Sequence, residues 1–254
     1  MTKFYRTTSG YVVEERGVFR ALEGDIFGRW QPGVEVGPPS SPLAPVAPSK
    51  IVCIGLNYKD HAAEQGKPLP AEPLIFLKPS TAIVADGDPI VIPSGVGRVD
   101  YESELAVVIG RRATRVREAD AMAHVLGYTC MNDVTARDLQ KKDGRYTRAK
   151  GFDTFAPLGP CIAAGLSADD LRVTGLVNGD VRQDSSTREL IFPVATLIAY
   201  ISRIMTLLPG DIVSTGTPAG IGPLHAGDEI AVRIEGIGEL RNPVVADGAT
   251  DPSR

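Results

Sequence analysis

A strand-rich α+β fold is what this sequence predicts, from three observations. Short apolar, β-branched runs recur along the chain, separated by the Gly, Pro, Asn and Asp that mark turns. Only one long stretch, beginning at Pro193, carries apolar residues at helical spacing. Strands do not alternate with helices of matching length, as a doubly wound parallel sheet requires, and no internal repeat is evident.

Residues Phe4 to Val36 alternate in short segments punctuated by Gly10, Gly17, Gly24 and Gly33, the pattern of a small β-meander. The prolines between Gly37 and Ser49 favour extended chain and exclude a helix. We therefore divide the chain into a small N-terminal β-region with linker (1–48), a main domain (49–246) and a C-terminal tail (247–254). Lys50 to Leu56 reads as a buried strand, and Asp60 to Gln65 as a helical turn ended by Gly66 and Pro68. Pro73 to Lys78 and Ile90-Val-Ile are strands, with turn chemistry at Asp86-Gly-Asp-Pro between them. Asp100 to Gly110 runs from acid into an apolar strand of the kind covered on both faces. Arg117 to Leu126 predicts a short helix packed through Ala121, Met122 and Val125, followed by a strand ending at Asn132 and Asp133. The polar residues from Asp133 to Gly151 predict a loop. Leu171 to Val177 with Asn178-Gly179 predicts a hairpin on a type I′ turn. The helix from Pro193 carries Val194, Leu197, Ile198, Ile201, Ile204, Met205 and Leu208, and Pro209-Gly210 closes it. Asp211 onward leads into a glycine-rich turn, and Glu229–Ile234 with Glu239–Val245 finishes the domain as a hairpin.

Composition narrows the function classes. With 254 residues, 43% of them hydrophobic and 23% charged, the chain is long enough for a large core. A net charge of −4 without a basic run argues against nucleic-acid binding. No stretch reaches membrane-spanning length, and Met1-Thr-Lys-Phe-Tyr-Arg lacks the apolar segment of a signal peptide, so a cytoplasmic location is expected. Cys53, Cys130 and Cys161 lie in apolar surroundings and read as buried thiols.

The chemistry concentrates in the stretch Asp100-Tyr-Glu-Ser-Glu-Leu. Alternation in a strand puts Glu102 and Glu104 on one side, at the entrance to a core. Close, desolvated carboxylates need a proton, an Arg or Lys, or a cation between them. Asp133 ends a second apolar strand, and three oxygen ligands with open positions suit Mg²⁺. The alternative is a solvated or Arg-paired acidic face. On the helical turn, His61 and Glu64 stand at i and i+3, where a carboxylate orients an imidazole as a general base. The alternative is a solvated His. Cations between Arg137 and Lys150 can hold an anionic substrate, and the glycine-rich turn exposes N–H groups and the Thr217 hydroxyl to a carboxylate. That turn lacks the lysine and spacing of a phosphate-binding loop.

Gly55-Leu-Asn-Tyr-Lys-Asp-His, Asp100-Tyr-Glu-Ser-Glu-Leu, Asn132-Asp-Val-Thr-Ala-Arg-Asp-Leu-Gln, Lys150-Gly-Phe-Asp-Thr and Ser214-Thr-Gly-Thr-Pro-Ala-Gly-Ile-Gly, in this order, resemble the fumarylacetoacetate hydrolase family over about Lys50 to Val245. The resemblance implies a mixed β-roll, a homodimer, and Mg²⁺ or Mn²⁺ on Glu102, Glu104 and Asp133. It implies His61, Glu64 and Lys150 as catalytic residues, and Tyr58, Arg137, Gln140 and Thr217 as substrate-binding ones. Leu56 stands where the eponymous hydrolase has an aspartate, which argues against fumarylacetoacetate itself as substrate. The expected activity is carbon–carbon cleavage of a small anionic 2-oxo or β-diketo acid, as in an acylpyruvate hydrolase. Decarboxylation of an oxaloacetate-like acid and isomerisation of 2-hydroxyhepta-2,4-diene-1,7-dioate are alternatives on the same site. A dimeric protein that binds metal and oxo acid without catalysis is the alternative of another class.

Overall fold

A computed structural model describes residues 1–248. The strands, in chain order, are β1 (Thr2–Thr7), β2 (Gly10–Glu15), β3 (Val18–Gly24), β4 (Trp30–Glu35), β5 (Ile51–Gly55), β6 (Leu74–Lys78), β7 (Ile83–Val84), β8 (Ile90–Ile92), β9 (Val99–Tyr101) and β10 (Ser103–Ile109). They continue as β11 (Val125–Asn132), β12 (Thr135–Ala136), β13 (Ala156–Ala164), β14 (Arg172–Val177), β15 (Asp180–Ser186), β16 (Ile212–Ser214), β17 (Gly222–Pro223), β18 (Glu229–Ile234) and β19 (Gly238–Ala246). The α-helices are α1 (Lys59–Glu64), α2 (Arg137–Asp143), α3 (Thr147–Lys150) and α4 (Val194–Ile204). The strand-rich α+β expectation holds.

The strands form a long mixed sheet in the order β4-β3-β2-β1-β13-β11-β10-β16-β5-β6, with β7 also on β13, a five-stranded sheet β15-β14-β18-β19-β8, and a small sheet β12-β9-β17. The N-terminal meander forms, and β1 pairs with β13, Phe4 opposite Ile162, so it extends the sheet of the main domain. Strand β10 is buried along its whole length. Leu105, Val107 and Ile109 pack into a core shared with the five-stranded sheet and α4, while Ala106 and Val108 face a second core with Phe4, Val13, Ile51 and Ile162. The hairpin turn is as expected, with Asn178 (φ 53°) and Gly179 (φ 84°) in the left-handed region that a type I′ turn demands.

Three local expectations are corrected. Glu118–His124 is a 3₁₀ helix that buries Ala121 but leaves Met122 exposed, and Val125 already belongs to β11. Helix α4 stops at Ile204 and not at Pro209; the Ser202 carbonyl accepts the Arg115 N–H, and Leu207 pairs with Ala113 through two 2.9 Å backbone bonds, which draws the chain out of the helix. The segment expected as a loop contains α2 and α3. Asp138 in the first turn and Lys141 and Lys142 in the last complement the dipole of α2, and Gly144 (φ 58°) caps it. Of the expected tail, residues 249–254 lie outside the described residues.

Candidate active site

The register of β10 on β11 builds the acidic centre. Ser103 lies opposite Asn132 and Glu104 opposite Met131, so the acids flanking Ser103 come beside Asp133 at the end of β11. The Glu102 backbone locks this junction, accepting from the Asp133 N–H (2.9 Å) and donating to Asn132 Oδ1 (2.9 Å). Glu102, Glu104 and Asp133 are all buried, and each offers an oxygen within 4.8 Å of the others.

Cations surround two of the three acids. Lys150 Nζ, itself buried, donates to Glu102 (2.9 Å), Asp133 (2.6 Å) and the Thr135 hydroxyl (2.8 Å). Arg137 bridges Asp100 (2.9 Å), Glu102 (2.5 Å) and Gln140 Oε1 (2.6 Å), and Lys78 donates to Asp133 (2.5 Å). Burial alone would raise the Glu102 carboxyl, but Lys150 and Arg137 outweigh it and hold the pKa down at about 2. Burial lowers Lys78, whereas in Lys150 the pull of Asp133 and Glu102 overcomes burial and raises it. Glu104 is different. It accepts from the Ser214 hydroxyl and the Gly216 N–H (2.9 Å) and forms no ion pair among the described residues, so burial, then Asp133 and Glu102, push its carboxyl well above the usual range.

A second wall of the cavity comes from α1, through His61, and from Gln65 just after it. His61 Nδ1 lies 3.0 Å from Glu64 Oε2, and Glu64 Oε1 accepts the Gly220 N–H at 3.0 Å. Asp60 anchors the turn, accepting from the His61 N–H (2.7 Å) and the Ser185 hydroxyl (2.6 Å). Leu56, just upstream, is held at φ 51°, a strained conformation for a branched residue beside a site. His61, Glu102, Glu104, Asp133, Arg137, Gln140, Lys150 and Thr217 line one cavity of about 360 Å³.

Residues 50–245 match the family model for the fumarylacetoacetate hydrolase C-terminal domain. The chain belongs to the fumarylacetoacetate hydrolase family. An uncharacterised protein of Archaeoglobus fulgidus is 55% identical over 80% of this chain and 81% of its own. The mitochondrial oxaloacetate tautomerase of Xenopus laevis is 46% identical over 80% of this chain and 68% of its own. Among solved structures, 2-hydroxyhepta-2,4-diene-1,7-dioate isomerase from Mycobacterium marinum superposes with a TM-score of 0.85 at 42% identity, covering 98% of this chain and all of that one. The chain is thus an enzyme of the fumarylacetoacetate hydrolase superfamily. Among the described residues, no helix is long and apolar enough to cross a membrane.

The metal that this family implies can be tested against the donors. Three buried carboxylates give an all-oxygen set suited to a hard divalent cation, and Glu104, without an ion pair among the described residues, is the group such an ion would relieve. The donors fit Mg²⁺ or Mn²⁺. Tyr58, which the resemblance places at the substrate, is fully buried and is not among the residues lining this cavity, and its hydroxyl has no partner among the described residues. Lys78 was missed. A lysine closing the apolar run Leu-Ile-Phe-Leu before proline reads as a strand end, and only its acidic neighbour could have marked it. Phe76 and Tyr146, a ring pair at 4.9 Å, also line the cavity without a sequence signal.

Proposed function

We propose that this chain is a Mg²⁺- or Mn²⁺-dependent enzyme that moves a proton at the carbon adjoining the keto group of a small 2-oxo dicarboxylic acid, an enol–keto interconversion. The observation that carries this reading is a single cavity with an oriented His–Glu pair on one side and three buried carboxylates on the other. The tautomerase and isomerase names of the similar proteins support the same class of reaction.

The residues divide the work. With Nδ1–H donated to Glu64, His61 keeps its lone pair on Nε2, takes the proton from the substrate carbon and delivers it to the keto oxygen to give the enol, the reverse transfer giving the keto form. Glu64 stabilises the imidazolium formed meanwhile. Arg137, Gln140 and the Thr217 hydroxyl bind and orient the carboxylates. Lys150 holds Glu102 and Asp133 in position. A divalent cation on Glu102, Glu104 and Asp133 supplies Lewis-acid stabilisation of negative charge on the 2-oxo acid.

Carbon–carbon hydrolysis of an acylpyruvate is the second reading, favoured because an oriented His61–Glu64 pair is also what activates water. The protein is proposed to act as the homodimer that the resemblance implies, which sedimentation tests. The functional test follows absorbance decay of enol-oxaloacetate, with pyruvate release from oxaloacetate and from a short acylpyruvate in parallel, before and after chelation. Enol decay accelerated by Mg²⁺ and lost on chelation supports the proposal. Pyruvate from the acylpyruvate alone selects the hydrolase, pyruvate from oxaloacetate alone selects a decarboxylase, and silence throughout overturns all three in favour of a binding protein.

A further inference from the structure

Both ring nitrogens of His61 are engaged. Nδ1 faces Glu64 at 3.0 Å, and the side-chain amide nitrogen of Gln65 lies 2.7 Å from Nε2. Glu64 accepts at Nδ1, so Nε2 is the acceptor and Gln65 the donor. The nitrogen that must meet the substrate is therefore covered by an amide. Gln65 is the residue after the last turn of α1, four positions beyond His61 and on the same face. Its backbone is fixed. Gly66 (φ 61°) donates to Ala63 O at 3.1 Å and Lys67 to Ala62 O at 3.0 Å, a Schellman closure that holds Gln65 whatever its side chain does. Its side chain is exposed and lines the cavity. Swinging it away costs one partly solvated hydrogen bond and disturbs no packing.

We propose that Gln65 is a positioning residue of His61. Its amide holds the ring with the Nε2 lone pair aimed into the cavity and shields that nitrogen from water and electrophiles until the substrate displaces it. The inference rests on the reading of His61 as the proton-transferring group, but the covering itself can be measured without a substrate. The chain has three histidines, so the modification of each by diethyl pyrocarbonate can be followed by peptide mass.

In Gln65→Ala, His61 is expected to react about fivefold faster than in the native protein, the factor that corresponds to one net hydrogen bond. The exposed His225 serves as internal reference and keeps its rate. With turnover on enol-oxaloacetate, the variant lowers KM, because no amide has to be displaced, and changes kcat less. An unchanged His61 modification rate overturns the proposal, as does a KM that rises with kcat unchanged. Faster modification without turnover on any 2-oxo acid leaves the covering intact and overturns the functional reading instead. Gln65→Leu, which keeps the bulk and loses the donor, separates the hydrogen bond from simple occlusion: modification as slow as in the native protein overturns the role of the amide.

Discussion

The two sides of the cavity are built differently. The carboxylate side sits on β10 and β11 in the middle of the long sheet, with every acid buried and two of the three clasped by cations. The His61 side is a helix of six residues in which Glu64 is exposed, followed by the exposed Gln65, and held by Asp60 to Ser185 and by Glu64 to Gly220. The first resists rearrangement because Glu102, Asp133 and the cations on them would lose partners in low dielectric. The second can shift by exchanging exposed hydrogen bonds. The difference suggests an enzyme that fixes where charge develops and lets the proton carrier adjust to the substrate.

The largest effect should come from breaking the rigid side. Glu102→Ala removes the carboxylate that Lys150 and Arg137 share and leaves each cation one acid short, so a loss of about 3–5 kcal/mol in denaturant unfolding is expected, together with loss of turnover. Glu104→Gln sharpens the contrast: it replaces a carboxyl whose charged form burial disfavours with a neutral amide, so the metal-free protein should gain stability as pH rises and the native carboxyl ionises, while calorimetric binding of Mn²⁺ disappears. Breaking the adjustable side should leave the fold alone. His61→Ala is expected to lower kcat by roughly 10²–10⁴ while Mn²⁺ binding persists. Saturating Mg²⁺, at about 100 times its Kd, should stabilise the native protein by about 2.7 kcal/mol and leave Glu104→Gln unaffected.

Acid should act on the same charges. Glu102, lowered from 4.5 to about 2, contributes stability that is present above pH 4.5 and lost as pH falls toward 2. Glu104, raised, acts with the opposite sign in the metal-free protein, its protonated form favouring the fold and this contribution falling as pH rises above 4.5. A stability profile of Glu104→Gln against the native protein isolates the second contribution. The smallest effect is expected for Ser185→Ala, which removes one hydrogen bond to Asp60 and should cost about 1 kcal/mol.

How much of this was legible in the sequence depends on the range of the signal. The side of the strand shared by Glu102 and Glu104, the i,i+3 pair His61 and Glu64, and the Asn178-Gly179 turn are local, and alternation or spacing reveals them. The meeting of Asp133 with the glutamates needed only two strand ends to come together. Helix α2 was hidden because no residue of it is buried, so no apolar stripe exists to read. The end of α4 depends on Ala113 meeting Leu207 and Arg115 meeting Ser202 across the fold, and the attachment of β1 to β13 spans most of the chain, with nothing nearby to announce either. Lys78 and Gln65 gain meaning only from what stands opposite them in space.

The pairing of Ser103 with Asn132 has one more consequence. Because the ligand set depends on counting residues along two adjacent strands, the site should tolerate many exchanges of one apolar side chain for another along β10, yet be destroyed by adding or deleting a single residue there. Such a slip would reverse the whole face, sending the acids inward against Val107 and its neighbours and bringing leucine to the cavity. The spacing of these two strands is therefore the quantity the fold must keep, whatever apolar side chains fill them.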